Sequence, residues 1–155
     1  MHLKNLNILL ADDDYDDCMF FKKALAEISS SSHLTIVHDG EQLMHYLKEN
    51  SDHLPLVLFL DINMPLKNGA ECLSEIRQDE KLKDLPVVMF STTNEWETID
   101  RLFKCGAHVY IHKPSDFAQL KQVIHHAIPL AAERIFSNNP VKYILNASDN
   151  GRPRR

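Results

Sequence analysis

The sequence lacks a basic excess. Over 155 residues the net charge is −5. Nucleic-acid binders usually carry a basic face, so no nucleic-acid partner is expected. The only basic cluster is the tail Arg152, Pro153, Arg154 and Arg155, which reads as a solvated chain end. Long apolar runs are also missing. The first run, Ile8 to Ala11, is far too short for a membrane span and leads straight into aspartates, which excludes a spanning or secretory segment there. Cysteine is scarce. Cys18, Cys72 and Cys105 are odd in number, far apart, and form no CxxC pair, so neither a disulfide framework nor a zinc site is indicated. The expected compartment is cytoplasmic, with reduced thiols. In that setting the triplet Asn146-Ala147-Ser148 reads as a chance match to a glycosylation acceptor. There is no internal repeat, and the serine run 29–32 reads as a turn.

What is present fits one soluble domain. Hydrophobic residues make up 44% and charged residues 25%, and the length suits a single core. Short apolar runs alternate with helical patterns five times. The runs are Leu6–Ala11, Leu34–His38, Leu56–Leu60, Val87–Ser91 and Val109–His112. Two of them are nearly continuous, as strands buried on both faces of a parallel sheet are. Between them the period becomes helical. Phe21, Ala24, Leu25 and Ile28 share one face, as do Leu43, Tyr46 and Leu47. The later sets are Cys72, Leu73 and Ile76, then Trp96, Ile99, Leu102 and Phe103, then Phe117, Leu120, Val123, Ile124 and Ala127. Gly106 marks the end of the fourth helix, and Ser115 or Asp116 can cap the fifth. Pro129 either ends that helix or kinks it into a continuation through Ile135 and Phe136. Strands alternating with helices predict an α/β, doubly wound parallel sheet. Right-handed crossovers put two helices on one face and three on the other.

In such a sheet the site forms beyond the carboxyl ends of the strands. Strand one ends in Asp12-Asp13-Asp14, strand three in Asp61, strand four in Ser91-Thr92, and strand five in Lys113-Pro114. Mg²⁺ favours one or two carboxylates plus waters and phosphate oxygens, and Asp12, Asp13 and Asp61 can supply such oxygens. With the metal present one carboxylate can attack phosphorus, giving an aspartyl-phosphate. Lys113 can offset the arriving charge. Taken singly, each feature has a plainer reading. Asp12–Asp14 with Asp16 and Asp17 could cap the first helix, Ser91-Thr92 could be a strand end, and a lone aspartate after a strand is usually a turn residue. Their joint occurrence at strand ends favours chemistry.

These residues resemble the receiver domain of two-component response regulators. The resemblance rests on Ile8-Leu9-Leu10-Ala11-Asp12-Asp13, on Leu58-Phe59-Leu60-Asp61-Ile62-Asn63-Met64-Pro65 with Asn68-Gly69, and on Leu85-Pro86-Val87-Val88-Met89-Phe90-Ser91. It continues in Gly106-Ala107 and Tyr110-Ile111-His112-Lys113-Pro114. It implies a flavodoxin-like, five-stranded sheet of order 2-1-3-4-5. It implies Asp61 as phosphoacceptor, with Asp12, Asp13, Asp61 and the backbone carbonyl of Asn63 as Mg²⁺ ligands. Lys113 would pair with the phosphoryl group. Ser91 would move to it, and Tyr110 would turn inward in response. The implied donor is a sensor histidine kinase or a histidine phosphotransfer protein. His112 stands where an apolar residue is common, either on a partly exposed strand face or as a pH-sensitive neighbour of Lys113. The receiver is expected over 1–128, and 129–155 is expected to be an extension without an output domain. Output would then be contact with a downstream protein through the fourth helix, fifth strand and fifth helix. The apolar residues between Pro129 and Leu145 suggest a homodimer.

Three rivals use similar residues. A haloacid-dehalogenase-type phosphatase wants a second acid where Asn63 stands. A flavodoxin-like flavin carrier wants a hydroxyl-rich loop where Asp12–Asp14 stand. A receiver that acts unphosphorylated, as a scaffold, is the alternative that the sequence excludes least well.

Overall fold

The computed structural model describes residues 4–134 and 143–145. Ile135, Phe136, the Asn146 triplet and the arginine tail lie outside the described residues. Strands and helices alternate as β1 (Asn7–Ala11), α1 (Tyr15–Ile28), β2 (His33–Val37), α2 (Gly40–Glu49) and β3 (Val57–Leu60). They continue as α3 (Gly69–Gln78), β4 (Val87–Ser91), α4 (Trp96–Lys104), β5 (Val109–His112) and α5 (Phe117–Arg134). The five strands pair in parallel in the order 2-1-3-4-5, the expected doubly wound, flavodoxin-like α/β sheet.

The strand period of two sorts side chains between two cores. Leu9 and Ala11 of β1, with Leu58 and Leu60 of β3, face Leu43, Leu47, Cys72, Leu73, Ile76, Ile99 and Leu102 from α2, α3 and α4. Ile8 and Leu10, with Val57 and Phe59, face Phe21, Ala24 and Leu25 of α1 and Leu120, Val123, Ile124 and Ala127 of α5. The two-and-three split of the helices is therefore as expected. Trp96 departs from the expected helix face. It is the first residue of α4 and is 64% exposed, while Ile99, Leu102 and Phe103 carry the buried face.

Local chemistry sets the ends of the helices. Asp14, Asp39 and Asn68 cap α1, α2 and α3 by accepting from Asp17, Gln42 and Glu71 N–H groups. Each such cap contributes about 1 kcal/mol. Asp116 takes this role for α5, accepting from Gln119 N–H at 3.2 Å. Gly106 follows α4 at φ +110, a conformation that L side chains rarely adopt. Helix α5 continues through Pro129 to Arg134. Proline there has no N–H to give the His125 carbonyl, and His125 lies on the exposed side of the helix.

Two features were not legible beforehand. A sixth strand, β6 (Tyr143–Leu145), pairs in parallel with β5. The other is Arg77 of α3, whose guanidinium donates to the carbonyls of Gly106, Lys83 and Leu85 at 3.0, 3.0 and 2.7 Å. It ties α3 to the turn before β5 and to the segment entering β4. Replacing Arg77 with methionine keeps most of the stem but strands these carbonyls. The expected loss is about 2–3 kcal/mol, read as a lower urea midpoint with an unchanged slope.

Candidate functional site

Strand register places the first two acids. Ala11 of β1 pairs with Leu60 of β3, so the next residues, Asp12 and Asp61, leave the sheet side by side. The backbone holds them there. Asp12 N–H donates to the Val37 carbonyl and Asp61 N–H to the Ala11 carbonyl, each at 3.0 Å. Both residues are buried, whereas Asp13 is exposed. Oxygens of Asp12, Asp13 and Asp61 all lie within 4.8 Å of one another.

Gly69 explains the Asn68-Gly69 pair. Its N–H donates to the Ile62 carbonyl at 2.8 Å. A Cβ on Gly69 would overlap the Asp61 carbonyl, so only glycine lets α3 start this close to Asp61. Asn68 adds the capping box, bonding Glu71 N–H while Glu71 bonds back to Asn68 N–H.

Lys113 closes the site. Its N–H donates to the Ser91 carbonyl at 2.8 Å, which fixes the backbone beyond β5. Its ammonium donates to Asp12 at 2.8 Å and Asp17 at 2.9 Å, and lies 3.5 Å from Asp61. Burial works against its charge, but Asp12, Asp61 and Asp17 outweigh that and hold the ammonium above its usual range. Burial pushes the Asp61 carboxyl up to about 6, and the Asp12 charge adds to this. Lys113 and the N–H groups of Ile62 and Asn63 pull the other way.

The remaining expected residues cluster on the β4–β5 side. Ser91 is fully buried and Thr92 is exposed, so of the two hydroxyls only that of Ser91 faces inward. Its Oγ lies 3.4 Å from Thr93 N–H. Tyr110 is 1% exposed, and its hydroxyl donates to the Thr93 carbonyl at 2.7 Å. Burial pushes its phenol up to about 12, with the Ser91 hydroxyl acting against that shift and the Asp61 charge reinforcing it. His112 is half-buried, with Nε2 3.1 Å from the Thr92 carbonyl.

One participant escaped the sequence reading. Asp17 counted there only as helix-capping charge, yet it shares Lys113 with Asp12. Asp14 alone caps α1. Periodicity could not separate the two aspartates. The available signal was one lysine at a strand end facing five aspartates between positions 12 and 17.

Three carboxylates this close repel one another unless a cation intervenes. An all-oxygen donor set of this kind suits a hard divalent ion such as Mg²⁺ or Mn²⁺. Lys113 supplies a single positive charge beside them.

With this geometry, the comparison with known proteins is specific. Residues 8–125 match the family described as the response regulator receiver domain, and the chain belongs to that family. The chain is 27% identical to the response regulator Rcp1 of Synechocystis over 121 residues, covering 76% of this chain and 82% of that protein. It is 30% identical to the two-component response regulator ARR5 of Arabidopsis thaliana over 155 residues, covering 94% and 83%. Among solved structures it is similar to the phosphorylated cyanobacterial phytochrome response regulator RcpA. There the identity is 30%, the TM-score 0.72, and the coverage 87% of this chain and 96% of that one. The manganese-bound form of Rcp1 superposes with a TM-score of 0.68 at 28% identity, covering 77% and 89%. Receiver domains generally act as phosphoacceptor switches and bind Mg²⁺ or Mn²⁺ at an acidic pocket. They exchange signals with histidine kinases or phosphotransfer proteins and with downstream targets. Among the described residues no helix is long and apolar enough to cross a membrane.

The raised Asp61 value has a thermodynamic consequence with a definite sign. The folded state holds this proton up to about pH 6, whereas an unfolded aspartate releases it near pH 4. Between those values the folded state binds more protons, so stability falls as pH rises and stays lower above pH 6. Asp61→Asn is therefore expected to stabilise chelator-treated protein at pH 7.5 by about 1–3 kcal/mol. That gain should shrink toward pH 4, as read in denaturant titrations at both pH values.

Proposed function

We propose that this receiver is a Mg²⁺-dependent phosphoacceptor switch in which Asp61 takes the phosphoryl group from a phosphohistidine on a kinase or phosphotransfer protein. The observation that carries the reading is the convergence of Asp12, Asp13 and Lys113 on the buried carboxylate of Asp61. An Asp61 oxygen forms the new bond to phosphorus while the P–N bond of the donor breaks and its imidazole leaves. Phosphoryl transfer asks chiefly for positioning and charge stabilisation. Asp12, Asp13, Asp61 and the Asn63 carbonyl would hold the metal, which supplies charge neutralisation at the phosphoryl oxygens. Lys113 stands close enough to Asp61 to turn its third N–H to a phosphoryl oxygen. Charge-assisted bonds of this kind are about twice as strong as neutral ones.

Ser91 and Tyr110 would report the event. Ser91 offers a buried hydroxyl beyond β4. Tyr110 already lies inside the core, with its hydroxyl tied to the Thr93 carbonyl on the way into α4. A shift of Ser91 toward the phosphoryl group would move that tie and carry the change to the surface around α4 and β5. Output is contact with another protein through that surface.

The first test is intact mass after incubation with Mg²⁺ and a small acyl-phosphate donor. Wild type should gain one phosphoryl group. Asp61→Asn should gain none, and prior chelation should abolish the gain. No gain in wild type would leave a receiver specific for its protein donor or a phosphorylation-independent scaffold, and binding partners of the unmodified chain would decide between them. A second test concerns the relay. Tyr110→Phe keeps the buried ring but loses the bond to Thr93. It should accept the phosphoryl group at the wild-type rate, yet lose the phosphorylation-dependent amide shifts in α4 seen by NMR. Wild-type shifts in that variant would remove Tyr110 from the relay.

A further inference from the structure

Lys113 has one more carboxylate partner than the proposed chemistry employs. An ammonium carries three N–H donors, and Asp12, Asp17 and Asp61 stand at 2.8, 2.9 and 3.5 Å. The Phe90 ring forms a further wall, its centroid 5.3 Å from Nζ. Asp12 and Asp61 also belong to the trio that converges for a cation, whereas Asp17 does not. A divalent ion held by that trio would draw on the charge of Asp12 and Asp61, and it would repel an ammonium of the same sign. Asp17 then remains the one uncommitted anion of Lys113.

Asp17 is built to stay in place. It sits in the first turn of α1, with its N–H bonded to the capping Asp14 side chain at 3.0 Å. The positive end of the helix favours a carboxylate there. Its side chain is 39% exposed while that of Asp12 is 1% exposed, so it stands at the solvent edge of the site.

We infer that Asp17 is a positioning residue that keeps Lys113 in the site when Asp12 and Asp61 are shared with a divalent cation. This rests on the metal part of the proposed function. Asp17 touches neither the phosphoryl group nor the metal in this scheme and acts only through Lys113.

The test reads Lys113 directly, without phosphorylation. Wild type, Asp17→Ala and Asp17→Asn are acetylated with and without Mg²⁺, and the rate at Lys113 is measured by mass spectrometry against exposed Lys23. Mg²⁺ binding to each protein is followed by calorimetry. In wild type, Mg²⁺ should leave Lys113 protected. In Asp17→Ala, Mg²⁺ should speed its modification on the order of fivefold. Asp17→Asn keeps an acceptor without the charge and should fall between. A merely structural role would raise labelling equally with and without the metal, and that result overturns the inference. If wild type binds no Mg²⁺, the metal reading itself fails and the inference with it. Binding with a metal-independent Lys113 rate in all three proteins sinks the inference alone.

Discussion

Two aspartates, Asp12 and Asp61, are forced together by strand register, and one ammonium keeps that arrangement tolerable. Ala11 and Leu60 are partners in the sheet, so the repulsion between the residues that follow is built into the fold. Lys113 lies within 3.5 Å of both. Breaking a buried ion pair by removing one partner is costly because the other charge is left stranded. The site is thus strained electrostatically before any ligand arrives. The sheet also carries Lys113 to this spot, for its N–H continues the β4–β5 ladder by donating to the Ser91 carbonyl.

Much of this was legible in the residue pattern. The continuous apolar runs gave buried parallel strands, and the helical faces of α1, α2, α3 and α5 met the sheet as the 3.6-residue period predicts. Asp12, Asp61, Ser91 and Lys113 could be placed because each directly follows or ends a strand, and strand ends in a parallel sheet converge. Strand alternation also separates the two neighbouring hydroxyls, Ser91 buried and Thr92 exposed.

The rest depended on geometry that periodicity does not carry. Trp96 has helical spacing to Ile99 and Phe103, but it opens α4 and stays exposed while those two are buried. Arg77 reads as an ordinary exposed position of an amphipathic helix. Only the three-dimensional path of the turn at Gly106 brings three carbonyls to its guanidinium. Asp17 was hidden among neighbouring acids, because helix-capping and ion-pairing aspartates look alike in one dimension. Tyr110 could be named, but the bond from its hydroxyl to the Thr93 carbonyl, which ties it to the loop entering α4, has no sequence signature.

Strand β6 alters what the sheet offers to other chains. A parallel sheet ending at β5 would present four residues of unpaired backbone beside the strand that carries Tyr110. With β6 hydrogen-bonded along Val109, Tyr110 and Ile111, those amide and carbonyl groups are already spent. An extended peptide cannot add itself to β5 without first displacing the protein's own segment. Among the described residues the outermost strand on this flank has three residues, and very short edges are poor templates for intermolecular pairing. Recognition on this flank must therefore rely on side chains and helix surfaces, where sequence can discriminate between partners, more than on backbone pairing, which any extended chain can offer.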